Sequence, residues 1–195
     1  MKAAQFGRFG SPEVLEIVDL PDPHPGPGEV RIAVRAAGIN ASDWKKRQGL
    51  MDQELPQTLG YEAAGIVDEL GDGVTDVAVG DRVFGVSQYG ASQADLAVLS
   101  YYAPIPPSLG FAEAAALPAA VETAARALDQ LRVKSGSTVL INGASGSVGR
   151  AAVQLAVARG ARVIGTGSPS GSFLDKLIME GVLAGQRWCG GCLVL

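Results

Sequence analysis

Apolar residues along this chain change period part-way, from alternation in the first half to helical stripes and buried runs in the second. Val30, Ile32 and Val34 alternate with Arg31, Ala33 and Arg35, which predicts a strand with one buried face. Met1 to Phe6, Val14 to Val18, Ile66 to Leu70 and Ala94 to Val98 read as further short strands, and Val77 to Phe84 as a bent pair. Turn residues separate them: Gly10-Ser-Pro12, Gly71-Asp-Gly73 and the polyproline-type crossing Pro21 to Gly28. Gly38 to Asp43 makes a corner into a short helix, Trp44 to Arg47. Short strands with regular turn signals indicate a small β barrel or sandwich.

After Pro104 the period lengthens. Ser108 is placed to cap a helix over Phe111 to Leu117, which Pro118 breaks. Ala119 to Leu131 is Ala-rich, with Val121, Ala125, Leu128 and Leu131 on one stripe. Val139, Leu140 and Ile141 then form a run expected of a strand buried on both faces. A Gly/Ser loop follows, then a helix to Arg159, Gly160 as its C-cap, and a strand over Val163 to Thr166. This order is one βαβ unit, parallel and right-handed. Phe173 to Leu183 reads as one more helix, and no strand of a doubly wound sheet is recognisable beyond it.

The loop carries the chemistry. Gly143-x-x-Gly146-x-x-Gly149 follows the strand and opens the helix, with Ala144 where a dinucleotide fingerprint has its first glycine. Unpaired N–H groups and the helix dipole make such a turn an anion site. Gly143, Ala144, Ser145, Gly146, Ser147, Val148 and Gly149 are therefore the candidate phosphate-binding residues.

Composition adds exclusions. Of 195 residues, 47% are hydrophobic and 18% charged, ordinary for a globular chain, and a net charge of −4 leaves no basic field for nucleic acid. Both cysteines, Cys189 and Cys192, fall near the C-terminus, so no disulfide framework shapes the body. No leader pattern and no bilayer-length apolar run are seen, so the expectation is a cytoplasmic protein with no membrane partner.

Several ordered motifs resemble one family. They are Pro25-Gly-Pro-Gly-Glu-Val30, Ala37-Gly-Ile-Asn-Ala-Ser-Asp43, Leu59-Gly-Tyr-Glu-Ala-Ala-Gly65, Val79-Gly-Asp-Arg-Val83, Ala115-Ala-Leu-Pro118 with Thr123-Ala-Ala, and Val139 to Gly149. Together they resemble the medium-chain dehydrogenase/reductase superfamily, in its zinc-free, zeta-crystallin-like quinone oxidoreductase branch. The resemblance implies an α/β plus β chain: a GroES-like β barrel over 1–117, then a partial Rossmann domain over 118–195, with catalysis in the cleft between them. It implies an NADPH-dependent oxidoreductase that passes hydride to a quinone or conjugated carbonyl, and a homodimer. An enoyl-thioester reductase is the alternative within the superfamily.

Zinc-dependent relatives carry Cys-His and His-Glu at the two corners where this chain has Asn40-Ala41 and Tyr61-Glu62. Amide and phenol are poor zinc ligands, so no metal is expected. His24, the single histidine, reads as an exposed loop residue. By resemblance Asn40 faces nicotinamide and substrate, Tyr61 lies beside it, and Lys45 of the run Lys45-Lys-Arg47 is nearest to an active-site position. Asp43 reads as a cap of the short helix. Thr123 matches a family threonine near the nicotinamide.

NAD-specific sheets carry an acid about 20 residues after the glycines. Gly167 stands there, and Thr166 and Ser168 offer hydroxyl donors, which together favour NADPH. At roughly 30 residues per βαβ unit, the chain from Val139 onward holds little more than the first half of a doubly wound domain. A catalytically inactive remnant that only binds is thus a further reading, and two parallel strands alone leave an apolar edge open. Cys189-x-x-Cys192 without a second ligand pair is a weak metal or redox signal.

Overall fold

The computed structural model describes residues 1–88, 90–167, 188–189 and 192–194. The chain divides into two compact units, Met1–Ala119 and Ala120–Leu195.

Two antiparallel sheets build the first unit. Lys2–Phe6 (β1) pairs with Glu16–Asp19 (β2) on one side and Gln57–Thr58 (β4) on the other. The larger sheet has Val30–Ala37 (β3) and Glu62–Leu70 (β5) at its centre, with Arg82–Val86 (β6), Leu96–Leu99 (β7) and Tyr101–Pro104 (β8) around them in the order β7-β3-β5-β6-β8. An isolated bridge joins Ala3 of β1 to Ala94, in the segment just before β7. The expected barrel is thus an unclosed pair of sheets. β7 and β8 are the edges of the larger sheet.

The alternation read at Val30 and Ile32 is real: both are fully buried, with Ala63, Val67, Val83, Ala97 and Leu99 in one core. Shifts of register at Arg31/Ile32 and Val34/Ala36 bend β3 against β5. Phe111–Ala115 (α2) covers the sheet with Ala114 and Ala115 against Ala64 and Ile105.

Several local expectations differ. Pro12–Val14 is a 3-10 turn, so the strand expected from Val14 starts at Glu16. Of Val77 to Phe84 only Arg82 onward is strand, while Val77 enters the core from a loop. Gly110, not Ser108, stands at the N-cap of α2. Pro118 does not merely end one helix; it opens the next, Pro118–Gln130 (α3), where its missing N–H costs nothing. Leu131 lies past the end of α3 and is 70% exposed, so the buried stripe is Ala124 and Leu128.

In the second unit Thr138–Ile141 (β9) and Arg162–Thr166 (β10) are parallel, joined through Ser147–Ala158 (α4). Val139, Val153, Ala156 and Val163 bury together with Leu128. Leu140, however, is 65% exposed, so β9 is covered on one face only. Beyond β10 the described residues add two short strands that are antiparallel, unlike the strands of a doubly wound sheet. Cys192–Val194 (β12) adds antiparallel to β10, and Trp188–Cys189 (β11) pairs with β12. The segment that supplies this ladder, Cys192-Leu-Val194, matches none of the motifs quoted for the family. β9 is the edge of this sheet, as expected for two lone parallel strands. Ser168 and the helix expected over Phe173 to Leu183 lie outside the described residues.

Candidate functional site

The corner after β3 is assembled by contacts between Ala41–Arg47 (α1) and the segment Gly60 to Glu62. Asn40 is the N-cap, in extended backbone, and the Asp43 carboxylate reaches back to its N–H at 2.6 Å. The other Asp43 oxygen accepts from the N–H of Gly60 at 3.1 Å, so this buried acid caps the helix and also ties it to the incoming strand. Gly60 has φ +97°, which favours glycine. The Asn40 side chain donates from Nδ2 to Glu62 Oε1 at 2.8 Å.

Lys46 rather than Lys45 meets Tyr61. Its Nζ stands 4.6 Å from the Tyr61 ring centre and 2.7 Å from Asp52 Oδ2. Burial pulls the Lys46 pKa down, but hydrogen bonds to Asp52 and Tyr61 outweigh that and leave it above the usual lysine value. Lys45 is exposed, with Nζ 5.7 Å from the Trp44 ring. Arg47 is buried and donates to the Gly10 carbonyl, so the basic run is not one solvated face. The structure thus gathers Asn40, Tyr61, Lys46 and Glu62 at one corner and leaves Lys45 on the outer surface. Sequence reasoning passed over Lys46 and Glu62. The available signal was an acid, Glu62, at the head of an otherwise apolar strand.

His24 lies on the surface with Nδ1 3.0 Å from Glu69 Oε1. Among the described residues, no group of three His, Cys, Asp or Glu is placed to hold a metal ion.

In the second unit the turn after β9 is held from β10. Ala144 donates to the Thr166 carbonyl at 2.7 Å and Gly143, at φ +75°, donates to Thr166 Oγ1 at 3.2 Å. The Thr166 hydroxyl donates in turn to Asn142 Oδ1 at 2.5 Å. Its proton therefore secures the turn and is not free for a ligand phosphate, contrary to the role considered for it above. Gly146 is the N-cap of α4 without a side-chain bond, and no acceptor among the described residues meets the N–H groups of Ser147, Val148 or Gly149. A Cβ at Gly149 would overlap the Gly143 carbonyl and lie 2.8 Å from Ala144 Cα. Ser145 uses its carbonyl to hold Arg150 Nε at 2.8 Å. Thr123 is half-buried on α3, and Gly167 follows β10 with no side chain.

The family model for the alcohol dehydrogenase GroES-like domain matches residues 26–127. The chain belongs to this family. Its relatives are the quinone oxidoreductases of the medium-chain dehydrogenase/reductase superfamily. The rat quinone oxidoreductase is 39% identical over 187 residues, 92% of this chain and 56% of that protein. The Escherichia coli quinone oxidoreductase, solved in complex with NADPH, superposes with a TM-score of 0.77 at 33% identity, covering 91% of this chain and 56% of that one. The CurK enoyl reductase gives 0.81 at 31% identity, with 90% and 57% covered. The chain thus spans a little over half the length of these relatives. The GroES-like match takes in α1, the Asn40–Glu62 corner and most of α3, so the corner is a family feature in its position.

Proposed function

We propose that this chain carries the substrate corner and the phosphate turn of an NADPH-dependent oxidoreductase that reduces a quinone or conjugated carbonyl without zinc. The observation that carries the reading is the turn itself. Three N–H groups, at Ser147, Val148 and Gly149, stand without acceptors among the described residues at the head of α4, and Gly149 lets strand and helix approach closely. A pyrophosphate fits this donor set. Gly143, Ala144, Ser145 and Gly146 shape the cradle, and Thr123, Gly167 and Ser168 complete the cofactor residues by resemblance. Gly167 removes the carboxylate that would repel a 2′-phosphate, and the Escherichia coli relative was solved with NADPH.

The nicotinamide, when bound, supplies hydride. On the protein side, Tyr61 offers a phenol and Lys46 an ammonium, donors able to meet oxygen charge developing on a quinone or enone. Asn40 orients ligand, and Lys45 lends positive charge at the outer surface. A divalent cation at this corner would face the Lys46 ammonium beside Tyr61, which favours metal-free reduction. The homodimer of the family is the assembly proposed for the full-length protein.

The test is a fluorescence titration of the chain with NADPH and NADH, followed by turnover with 1,4-benzoquinone. Saturable binding with NADPH preferred is the expected result, and no saturable binding sinks the reading. The likeness to CurK supports one alternative substrate, an enoyl thioester, and turnover of that compound in preference to the quinone would select it.

A further inference from the structure

Most polar side chains at the corner are already committed. Asn40 donates from Nδ2 to Glu62 at 2.8 Å, and its side chain accepts from the Asp43 N–H in the capping box of α1. Asp43 accepts from the N–H groups of Asn40 and Gly60. Glu62 is buried and takes a second donor, the Ala119 N–H at 2.7 Å. Arg47 is held by the Gly10 carbonyl. Carboxylates that accept have no proton to give, and an amide and a guanidinium keep theirs.

Tyr61 and Lys46 differ. Tyr61 is half-buried and its phenol is hydrogen-bonded to the Lys46 ammonium, which can only donate. The phenol oxygen is therefore the acceptor of that bond, and no acceptor among the described residues takes its own O–H proton. Lys46 has a side chain only 17% exposed, with Nζ 4.6 Å from the Tyr61 ring centre and 2.7 Å from Asp52 Oδ2. The Asp52 side chain is 60% exposed. A phenol, an ammonium and a carboxylate thus form one hydrogen-bonded chain from the half-buried corner to the surface.

Reduction of a quinone by hydride alone is one proton short. Hydride brings two electrons and one proton, and the product is a hydroquinone monoanion until a second proton arrives. We propose that Tyr61 is the acid that supplies this proton and that Lys46 replenishes it from solvent at Asp52. The Tyr61 O–H bond breaks as an O–H bond forms on the hydroquinone oxygen. The phenolate then takes a proton from the Lys46 ammonium, and the amine left behind regains one from solvent. No electrons change hands in these steps. Phenol and hydroquinone are acids of one kind, so the first transfer is close to balanced, the condition in which a general acid is most effective. Lys46 acts through Tyr61 as a positioning residue that also carries the proton. The proposal rests on the reading of this corner as the place where the quinone is reduced.

Lys46→Arg separates proton relay from charge. Arginine keeps a cation for the Tyr61 ring and for Asp52, but it does not release its proton in a protein. Quinone turnover with NADPH is measured for the whole chain, for Lys46→Arg, for Tyr61→Phe and for the double variant, with urea unfolding of each. Lys46→Arg should unfold at the same urea concentration as the unsubstituted chain and yet lose about 10²-fold in kcat, the effect of a missing general acid. Tyr61→Phe should lose as much, and adding Lys46→Arg to it should cost nothing more, because members of one relay fail together. Lys46→Met in place of Lys46→Arg must show the same absence of a further loss.

Full kcat in Lys46→Arg overturns the relay and leaves Lys46 as a charge alone. Losses that multiply in the double variant overturn it as well, since the substitution at 46 would then act independently of the phenol. In both cases the unsubstituted chain still reduces quinone, so only the relay fails. An unsubstituted chain without quinone turnover overturns the functional reading and the relay with it, so the two failures are distinct.

Discussion

Lys46 Nζ stands 4.6 Å from the Tyr61 ring centre while it pairs with Asp52 at 2.7 Å, so one ammonium joins α1, the following loop and the start of β5. Such a contact stabilises the corner.

Lys46→Met should therefore destabilise the chain by about 1 kcal/mol at pH 7, the sum expected of a half-buried cation–π contact and an ion pair. The folded pKa of Lys46 is raised, so its contribution is whole below the unfolded value of about 10.4 and is lost as pH climbs through the folded value. Urea unfolding of both chains at pH 7 and above pH 11 checks this. A stability difference that grows in alkali would contradict it.

Tyr61→Phe keeps the ring under Lys46 and removes only the phenol O–H. Quinone kcat should fall by about 10²-fold, the usual loss for one donor to a developing oxyanion, with the NADPH dissociation constant unchanged. Steady-state kinetics beside a fluorescence titration separates the two.

Gly146→Asp places a carboxylate at the head of α4. Gly146 has φ −75° and ψ 166°, a conformation open to any residue, and aspartate is a good N-cap. Thermal stability should hold or rise, while NADPH binding is abolished by repulsion of the phosphates. Unchanged nucleotide affinity would show that the anion site lies elsewhere.

Gly149→Val acts differently, since its side chain would meet the Gly143 carbonyl and the Ala144 Cα. Strand and helix must part, at about 1–3 kcal/mol for an overpacked contact. Both the melting temperature and the NADPH affinity should fall together.

Asp43→Ala strips the acceptors from two N–H groups, at Asn40 and Gly60, where water has little access. Each unsatisfied buried donor costs about 1–3 kcal/mol, so the corner should loosen before the rest of the sheet. Hydrogen exchange at Gly60 is the direct measure.

Local pattern alone carried a good part of this protein. Alternation at Val30 and Ile32 gave the central strand because each side of a strand meets one environment. The spacing Gly143, Gly146, Gly149 gave the Gly-rich turn at the head of α4 because its geometry is set within a few residues. The cap role of Asp43 was legible for the same reason. What spans distance in the chain was not. Glu62 bonds Asn40 and Ala119 across 22 and 57 positions, and no local period encodes either contact. Lys46 was chosen over Lys45 by how α1 rolls against Tyr61, a matter of packing. Thr166 spends its hydroxyl on Asn142 because parallel pairing brings two loop starts together. The sheets stayed unclosed, and β12 joined β10, because edges are settled by which strands find partners. Sequence set the elements and the shape of the turn; the long-range hydrogen bonds of the tertiary fold decided which side chains stand at the corner.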